Sequence, residues 1–589
     1  MTWATFVTLA VLLATGVALI RDLAPPATTM VLAVTVLLLG GVVTPAEAFG
    51  GFSNPAPITV AALFVVARAV ERTGALQPLV RRILGGGAGP RTSLLRLLVP
   101  TAGVSAFMNN TPVVAMLTPQ VTEWAHREGR PPSWYLMPLS FAAILGGTMT
   151  LVGTSTNIVV SGLLEDHGLA PLAMFELTPV GAPLTVLGLA VLVVLAPLLL
   201  PDRRSPRQEA EDESRSFVIH MVVVPGGPID GRTVEEAGLR HLRGVFLAEI
   251  EPEGEAAVPA APGRVLDGGD RLLFVGRADD VVDLQSIRGL RAAEGKVGLD
   301  LDAPGHAFVE VVVSAASPLA GRTLRSFGFR GRYQATVLAI HRAGDRVHAK
   351  LGDVRIRHGD TLILVADAGF VRRWRDRSDF LLVSDLGGSA PTGSRKAGLT
   401  LAIAVGMVLA AATGLLPMLE ASLLAALILL GTRVLTPEEA ARAVHLEVIV
   451  LIGAAFGLGA ALSNSGVADA LAGGVVAATR AVGPAGILFG VAVVTSLMTE
   501  IISNNAAVVL VFPVAMAAAA AAGLDPRPFA VAVALAGSSS FLSPIGYQTN
   551  TMVYGPGGYR VLDYTRLGLP LNLLVLALIT ALVPRVWPF

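Results

Sequence analysis

The chain has 589 residues, of which 53% are hydrophobic and 15% charged, with a mean hydropathy of +0.66. That is too apolar for a soluble protein of this size. The formal net charge is zero, which leaves no electrostatic footprint for nucleic acid, and the lack of cysteine excludes disulfides, thiolate metal sites and cysteine nucleophiles.

The first apolar run, Val7–Ile20, has no basic residue ahead of it and no small-residue cleavage pattern after it. It is read as a retained membrane helix rather than a signal peptide. Further spans are expected near 28–46, 56–72, 136–164 and 179–200. A Pro-, Asn- and Thr-containing segment at 93–122 is long enough to enter a bilayer and turn back. A soluble stretch follows over 205–385. The last block gives spans near 398–416, 420–433, 445–464, 528–553 and 566–584, with an equivalent re-entrant segment at 486–518. The expected domains are an N-terminal transmembrane repeat over 1–204, soluble units over 215–295 and 300–385, and a C-terminal transmembrane repeat over 396–589.

Basic residues orient these spans, because cytoplasmic loops carry the excess of Lys and Arg. With the N-terminus outside, Arg21, then Arg68, Arg72, Arg81, Arg82, Arg91 and Arg96, then Arg127 and Arg130 all fall inside. The outer loop with Glu165, Asp166 and Glu176 has no base. Arg203, Arg204 and Arg207 then place the insert, about 205–390, in the cytoplasm. From Arg395 and Lys396 the second half runs the opposite way, with Arg433, Arg442, Arg560 and Arg566 inside and only Arg480, Arg527 and Arg585 outside. An odd number of spans per half makes the halves inverted repeats. The first re-entrant segment then enters from the cytoplasm and the second from outside, and the protein is expected in the plasma (inner) membrane.

The soluble block repeats itself at a spacing of 90 residues. Pro228-Ile229-Asp230-Gly231-Arg232-Thr233 matches Pro318-Leu319-Ala320-Gly321-Arg322-Thr323, and Gly269-Asp270 before an apolar run matches Gly359-Asp360. Short β-branched runs such as Val309–Val313 and Thr336–Ile340 alternate with turn signals, so each copy reads as a small α+β unit. Asp202–Asp212 and Gly387–Gly393 are the expected linkers.

Four polar interruptions in the apolar halves carry the chemistry. Asn109-Asn110-Thr111-Pro112 and Ser503-Asn504-Asn505-Ala506 lie in the re-entrant segments. Gly153-Thr154-Ser155-Thr156-Asn157 and Gly546-Tyr547-Gln548-Thr549-Asn550 break a later span in each half. An unsatisfied amide in hydrocarbon costs several kcal/mol, so irregular polar backbone persists only where it lines a cavity. Broken helices at matching positions of two repeats point to the substrate and ion site of a secondary transporter. Asn110 and Asn504 offer an amide oxygen to a cation and an amide NH2 to an anion. Thr111, Ser503, Asn505, Thr154, Ser155 and Thr156 add further polar groups, and helix ends add backbone NH and C=O groups. Gly153 and Gly546 permit close backbone approach. Arg96 is the one base within these segments, at the cytoplasmic edge of the first. An anion would therefore be held by neutral donors, helix ends and co-bound cations.

Asn109-Asn110-Thr111 and Ser503-Asn504-Asn505 resemble the paired Ser-Asn-Thr motifs of the divalent-anion/sodium symporter (DASS) family, within the larger ion-transporter superfamily. Gly146-Gly147-Thr148 followed by Gly153–Asn157 is similar to that family's Gly-Gly…Gly-Thr-Pro-Pro-Asn loop. The resemblance spans both membrane blocks. It implies coupling sodium ions, one near Ser105, Asn109, Asn110 and Gly153 and one near Thr499, Ser503, Asn504 and Gly546. It also implies a small anionic substrate at Asn110, Thr111, Thr154, Asn504, Asn505 and Tyr547, supported by Asn157 and Asn550, with no organic cofactor, and an elevator-like core in a homodimer. The sequence departs from the motifs at Asn109, Asn505, Ser155-Thr156 and Gln548-Thr549. With the cytoplasmic insert, these departures favour sulfate over a dicarboxylate. The insert resembles a tandem pair of TrkA-C (RCK C-terminal) domains. Lacking a Gly-x-Gly-x-x-Gly fingerprint, it is not expected to bind a dinucleotide, and a small effector or a dimerisation role are both open.

The fold expected is thus a polytopic α-helical membrane protein of two inverted repeats, each of about five spans plus a re-entrant hairpin, with a cytoplasmic α+β insert of two TrkA-C-like domains. Glu500, an acid deep in the second hairpin, is a candidate proton carrier or cation-site tuner. Alternatives to sodium-coupled symport are a potassium channel or Trk-like transporter governed by its TrkA-C domains, for which Leu151-Val152-Gly153-Thr154 is a partial filter echo, or an oxyanion or citrate carrier of the same superfamily. His220, His241, His341 and His358 have no metal-ligand spacing, and no enzyme is expected.

Overall fold

The computed structural model describes residues 2–21, 23–75, 89–202, 218–239, 245–252, 258–261, 263–276, 287, 289–292, 306–314, 317–342, 345–347, 351–367, 369–374, 377, 379–385 and 396–589. Outside these lie Arg81, Arg82, Arg203, Arg204, Arg207, Arg395 and His241, the expected linkers beyond Asp202, and several domain edges. The chain forms two compact units. One is Met1–Asp202 with Ala390–Tyr554 and Tyr559–Phe589; the other is Arg203–Ser389 with the turn Gly555–Gly558.

The first unit is helical and its halves run through the same order of elements. Trp3–Ile20, Pro26–Leu39, Pro45–Phe49 and Pro55–Thr73 correspond to Ala397–Ala412, Met418–Gly431, Pro437–Ala443 and Leu446–Asn464. The hairpin Pro90–Ser105 and Asn110–Arg127 corresponds to Pro484–Ile501 and Asn504–Ala522. The broken span Leu136–Gly147 and Ser155–Asp166 corresponds to Pro526–Ser538 and Gln548–Tyr554, and Thr178–Leu199 to Val561–Val586. Six of these helical stretches are long and apolar enough to cross a membrane. Many large apolar side chains on the helices stay exposed, among them Leu13, Leu32, Leu39, Leu427 and Leu573. In water such a surface would associate; in lipid it is solvated.

Two features differ from expectation. The span expected over 28–46 stops at Leu39, because Gly40 and Gly41 (the latter at φ 69°) end the helix and a new one starts at Thr44-Pro45. There Thr44 and Glu47 form a reciprocal capping box with Pro at the first position. Thr436, Pro437 and Glu439 repeat the same box in the second half. The second difference is a helix at Val467–Thr479, absent from the hydropathy reading. At 13 residues it is too short to read as a span. It packs against Asn504–Ala522.

The ends of the two long helices cross over to these boxes. Arg72, at the end of Pro55–Thr73, donates to Glu439 and to the Val434 carbonyl. Asn464, at the end of Leu446–Asn464, donates to Glu47 at 3.1 Å and to the Val42 carbonyl at 3.4 Å. The core lies around the hairpins and broken spans. Phe141, Phe512, Phe529, Phe541, Tyr559 and Tyr564 are fully buried there, and Phe141 and Phe541 meet edge-on across the repeats at 5.0 Å.

The second unit holds two five-stranded antiparallel sheets of one topology. The first is β1 (Val218–Val223), β2 (Val245–Glu251), β3 (Val258–Pro259), β4 (Arg271–Gly276) and β5 (Leu290–Ala292), in the order β3-β2-β4-β1-β5. The second is β6 (His306–Val313), β7 (Ala335–Arg342), β8 (Asp345–Arg346), β9 (Thr361–Asp367) and β10 (Phe380–Asp385), in the order β10-β6-β9-β7-β8. The repeated motifs are the joints of this frame. Gly231 and Gly321, both with positive φ, donate to Leu266 and Ile356 at 2.8 Å each. Gly269 and Gly359 donate to Val223 and Val313 at 2.9 Å each.

Candidate functional site

Each hairpin turns at its asparagine. In the first, Pro90–Ser105 ends and Asn110–Arg127 begins after four residues, with the Asn109 Oδ1 accepting from the Thr111 N–H at 3.2 Å. In the second, only Ile502 and Ser503 separate the arms. In the first, the Asn109 side chain caps the helix that follows; in the second, the helix starts at Asn504 without a side-chain cap from Ser503.

The asparagine then folds back onto a hydroxyl one turn earlier. Ser105 lies 2.5 Å from the buried Asn110 amide, and the Thr499 hydroxyl, with one proton to give, lies 2.8 Å from the Asn504 Oδ1 and 2.9 Å from the Gly537 carbonyl. The inner atom of the Asn110 amide also faces two carbonyls, Ala143 at 2.9 Å and Gly153 at 3.3 Å. Its outer atom is 2.7 Å from the Tyr547 hydroxyl. The partners decide the orientation of such an amide. With Nδ2 inside, its two hydrogens face three oxygens and its Oδ1 accepts from Tyr547, the setting the partners favour. Turned the other way, its Oδ1 would join the Ser105 hydroxyl and the Ala143 and Gly153 carbonyls, oxygens of the kind a hard cation takes. In the second half Oδ1 already faces inward to Thr499. The Asn504 Nδ2 and Ser503 Oγ are buried without a partner among the described residues. Such orphaned donors are costly unless a ligand accepts from them.

The broken spans are held open by a second pair of asparagines. Asn157 donates to the Gly147 and Thr150 carbonyls at 3.2 and 2.9 Å. Asn550 donates to the Ser540 and Ser543 carbonyls at 3.0 and 3.3 Å. Close approach is built in: a Cβ on Gly153 would lie 2.5 Å from the Gly147 carbonyl oxygen, and one on Gly546 would lie 2.5 Å from that of Thr499. A larger residue at Gly153 would push the two arms of the first break apart, and one at Gly546 would push the second break off its hairpin.

Each tip bonds to the break of the opposite half. Asn110 meets Tyr547, and Thr111 meets Gln548 at 3.4 Å. Asn505 accepts from Ser155 at 3.2 Å and Thr156 at 3.4 Å. Tyr547 also lies 3.1 Å from the Thr154 hydroxyl. The sequence-derived residues Ser105, Asn110, Thr111, Gly153, Thr154, Asn505 and Tyr547 are thus joined in one region, and Thr499, Asn504 and Gly546 form its counterpart. Asn109 serves as a helix cap, and Ser503 stands at the second tip.

Glu500 takes a different part. Its Oε1 accepts from the N–H groups of Phe541 and Leu542 at 2.7 and 2.9 Å; its Oε2 accepts from Ser543 N–H at 2.9 Å and Ser540 Oγ at 3.1 Å. Four donors fix the carboxylate in the loop of the second break. In the first half the Thr150 hydroxyl bonds to the Ala106 carbonyl at the matching place. Sequence reasoning did not find the Ala143 and Gly537 carbonyls, since backbone oxygens leave no mark in a sequence. It also passed over Ser140, which donates to Asn550 at 2.7 Å and whose polar side chain inside an apolar run was the available signal.

Comparison with known proteins matches the sequence to a family. The model of the citrate transporter family, CitMHS, matches residues 10–536. A candidate sulfur deprivation response regulator of Chlamydomonas reinhardtii is 36% identical over 93% of this chain and 95% of its own length. An uncharacterized transporter of Synechocystis is 34% identical over 98% and 96%. Sodium/sulfate cotransporter 1 of Chlamydomonas reinhardtii is 24% identical over 92% and 85%. Among solved structures the Alcanivorax borkumensis YdaH transporter aligns at 14% identity over 91% and 86%, with a TM-score of 0.41 too low to bear on the fold. The chain belongs to the citrate transporter family, and is a membrane transport protein rather than an enzyme.

Proposed function

We propose that the protein is a sodium-coupled symporter of a small divalent anion, sulfate in preference to a dicarboxylate, of the divalent-anion/sodium type. The observation that carries this reading is the paired asparagine. Asn110 and Asn504 each face a hydroxyl (Ser105, Thr499) on the inside, beside backbone carbonyls of the adjoining broken span. Asn504 Nδ2 and Ser503 Oγ offer donors with no protein acceptor among the described residues. Oxygen sets suit a cation and neutral donors suit an oxyanion. A cation beside the anion offsets its charge where no Arg or Lys is at hand. The names of the Chlamydomonas sodium/sulfate cotransporters favour sodium and sulfate. The name of the family model favours citrate as the second substrate to test.

In this reading the tips and breaks form the moving core of a homodimer in the plasma membrane. The insert is a cytoplasmic regulatory pair of TrkA-C-like domains spanning 215–295 and 300–385, open to a small effector. The deciding experiment is uptake of radiolabelled sulfate into proteoliposomes with and without an inward sodium gradient, competed by citrate and succinate. Sodium-driven uptake blocked by unlabelled sulfate is expected. Asn110→Ala and Asn504→Ala should each abolish it in protein that still folds, and removal of residues 206–390 should leave it in place. Normal transport by both alanine variants would sink the site assignment.

A further inference from the structure

We infer that Tyr547 is a positioning residue that couples cation to anion through the Asn110 amide, an inference that rests on the symporter reading above. The two halves are unequal at one atom. Tyr547 stands in the second break at the place that Thr154 holds in the first, and its hydroxyl reaches across to Asn110 at 2.7 Å and to Thr154 at 3.1 Å. Nothing of the kind touches Asn504, whose Oδ1 is already turned to Thr499 and whose Nδ2 has no partner among the described residues.

The partners set the Asn110 amide with Nδ2 inward; a bound cation would call for the reverse, and the phenol distinguishes the two. With Nδ2 inward, its two hydrogens face Ala143 O at 2.9 Å, Gly153 O at 3.3 Å and Ser105 Oγ at 2.5 Å, while Oδ1 accepts the Tyr547 proton. An N–H presents a positive end, so this setting denies a cation its oxygens, and it spends the phenol proton on Asn110. With Oδ1 inward, a cation would meet four oxygens. Nδ2 would then point out, 2.7 Å from the Tyr547 oxygen, and donate to it. The phenol has a single proton and cannot return it to Asn110. It must turn the proton to Thr154 Oγ1 or to an anion lying between the tips. Cation entry at the first site therefore creates a donor for the anion, and the anion in turn favours the cation-binding setting, as linkage requires. The second site, where no phenol reaches Asn504 among the described residues, has no such dependence.

The test measures sodium binding to the purified full chain in nanodiscs, by 22Na scintillation proximity, without sulfate and with saturating sulfate. The ratio of the two half-saturation concentrations is the coupling factor, expected for the native chain at roughly 5- to 150-fold. Tyr547→Phe should tighten sodium binding in the absence of sulfate and weaken sulfate binding at saturating sodium, so the factor falls towards one. Thr154→Val removes the alternative acceptor of the phenol proton. It should weaken sodium binding only when sulfate is absent, so the factor rises. Opposite movements of one ratio cannot come from loose packing, which would weaken both ligands alike. An unchanged factor in Tyr547→Phe, or parallel losses of sodium and sulfate binding in both folded variants, overturns the toggle. A native chain whose sodium binding responds to neither sulfate nor citrate overturns the symporter reading and the toggle with it.

Discussion

At the scale of single residues, identical chemistry is put to different ends by its partners. Asn110 and Asn504 each lie against a hydroxyl, beside backbone carbonyls of the adjoining break, whereas Asn157 and Asn550 spend their NH2 groups on loop carbonyls. The second pair is therefore read as holding the breaks in shape rather than touching a ligand. Glu500 can be read in two ways. An acid in an apolar hairpin suggests a proton carrier, yet four donors converge on its carboxylate. Glu500→Gln replaces one acceptor oxygen by an NH2 group facing N–H donors. A buried charged hydrogen bond lost this way costs about 2 kcal/mol. The variant should melt at a lower temperature in detergent and lose anion uptake at every pH tested. An unaltered melting temperature with a shifted pH profile of uptake would return Glu500 to the role of proton carrier.

At the scale of elements, the two sheets of the insert show one frame with two electrostatic solutions. In the second, Asp360 is held bidentately by Arg342, at 2.8 and 2.7 Å, and accepts from the Arg357 N–H. In the first, the Asp270 carboxylate accepts from the Asp267 N–H at 2.9 Å and no arginine holds it among the described residues. Burial pushes the Asp270 carboxyl above its ordinary value, and the nearby Asp267 and Asp230 carboxylates add to this against the pull of the Asp267 N–H and Arg264. A raised acid binds its proton more readily folded than unfolded, so its favourable contribution is present at low pH and is lost as pH rises through the folded value. The first sheet should thus gain stability on going from neutral pH towards the aspartate range, and Asp270→Asn should flatten that gain. Hydrogen exchange of β4, corrected for its intrinsic pH dependence, reads it. Equal slopes in the native chain and Asp270→Asn would refute the assignment.

At the scale of the whole molecule, the charged loops meet in the pairs that an inverted arrangement requires. Glu176 and Arg527, both assigned outside by loop charge, form a two-pronged ion pair at 2.7 and 2.8 Å. Arg72 and Glu439, both assigned inside, are also paired. The absence of cysteine makes the arrangement directly measurable. In intact cells an impermeant maleimide should label Glu165→Cys, and should label Arg322→Cys in the insert only after permeabilisation. Labelling of Arg322→Cys from outside would reverse the topology.

The sequence by itself determined the repeats, the spans, the four polar breaks and the doubled insert. Each of these is a local cost or period: an amide in hydrocarbon, a run of apolar residues, a Gly-Asp joint recurring after 90 residues. It also carried the capping boxes at Thr44 and Thr436, legible as Thr-Pro-x-Glu in both halves though hidden beneath the hydropathy of the spans around them. It could not place Asn110 against Tyr547, or Asn505 against Ser155, because these pairs join opposite halves hundreds of residues apart and only packing brings them together. Nor could it reveal the carbonyls of Ala143, Gly153 and Gly537, since every residue carries that oxygen and only the fold decides which ones turn inward. The exchange of partners between halves, which gives Asn110 a phenol and leaves Asn504 without one, belongs to the tertiary structure alone.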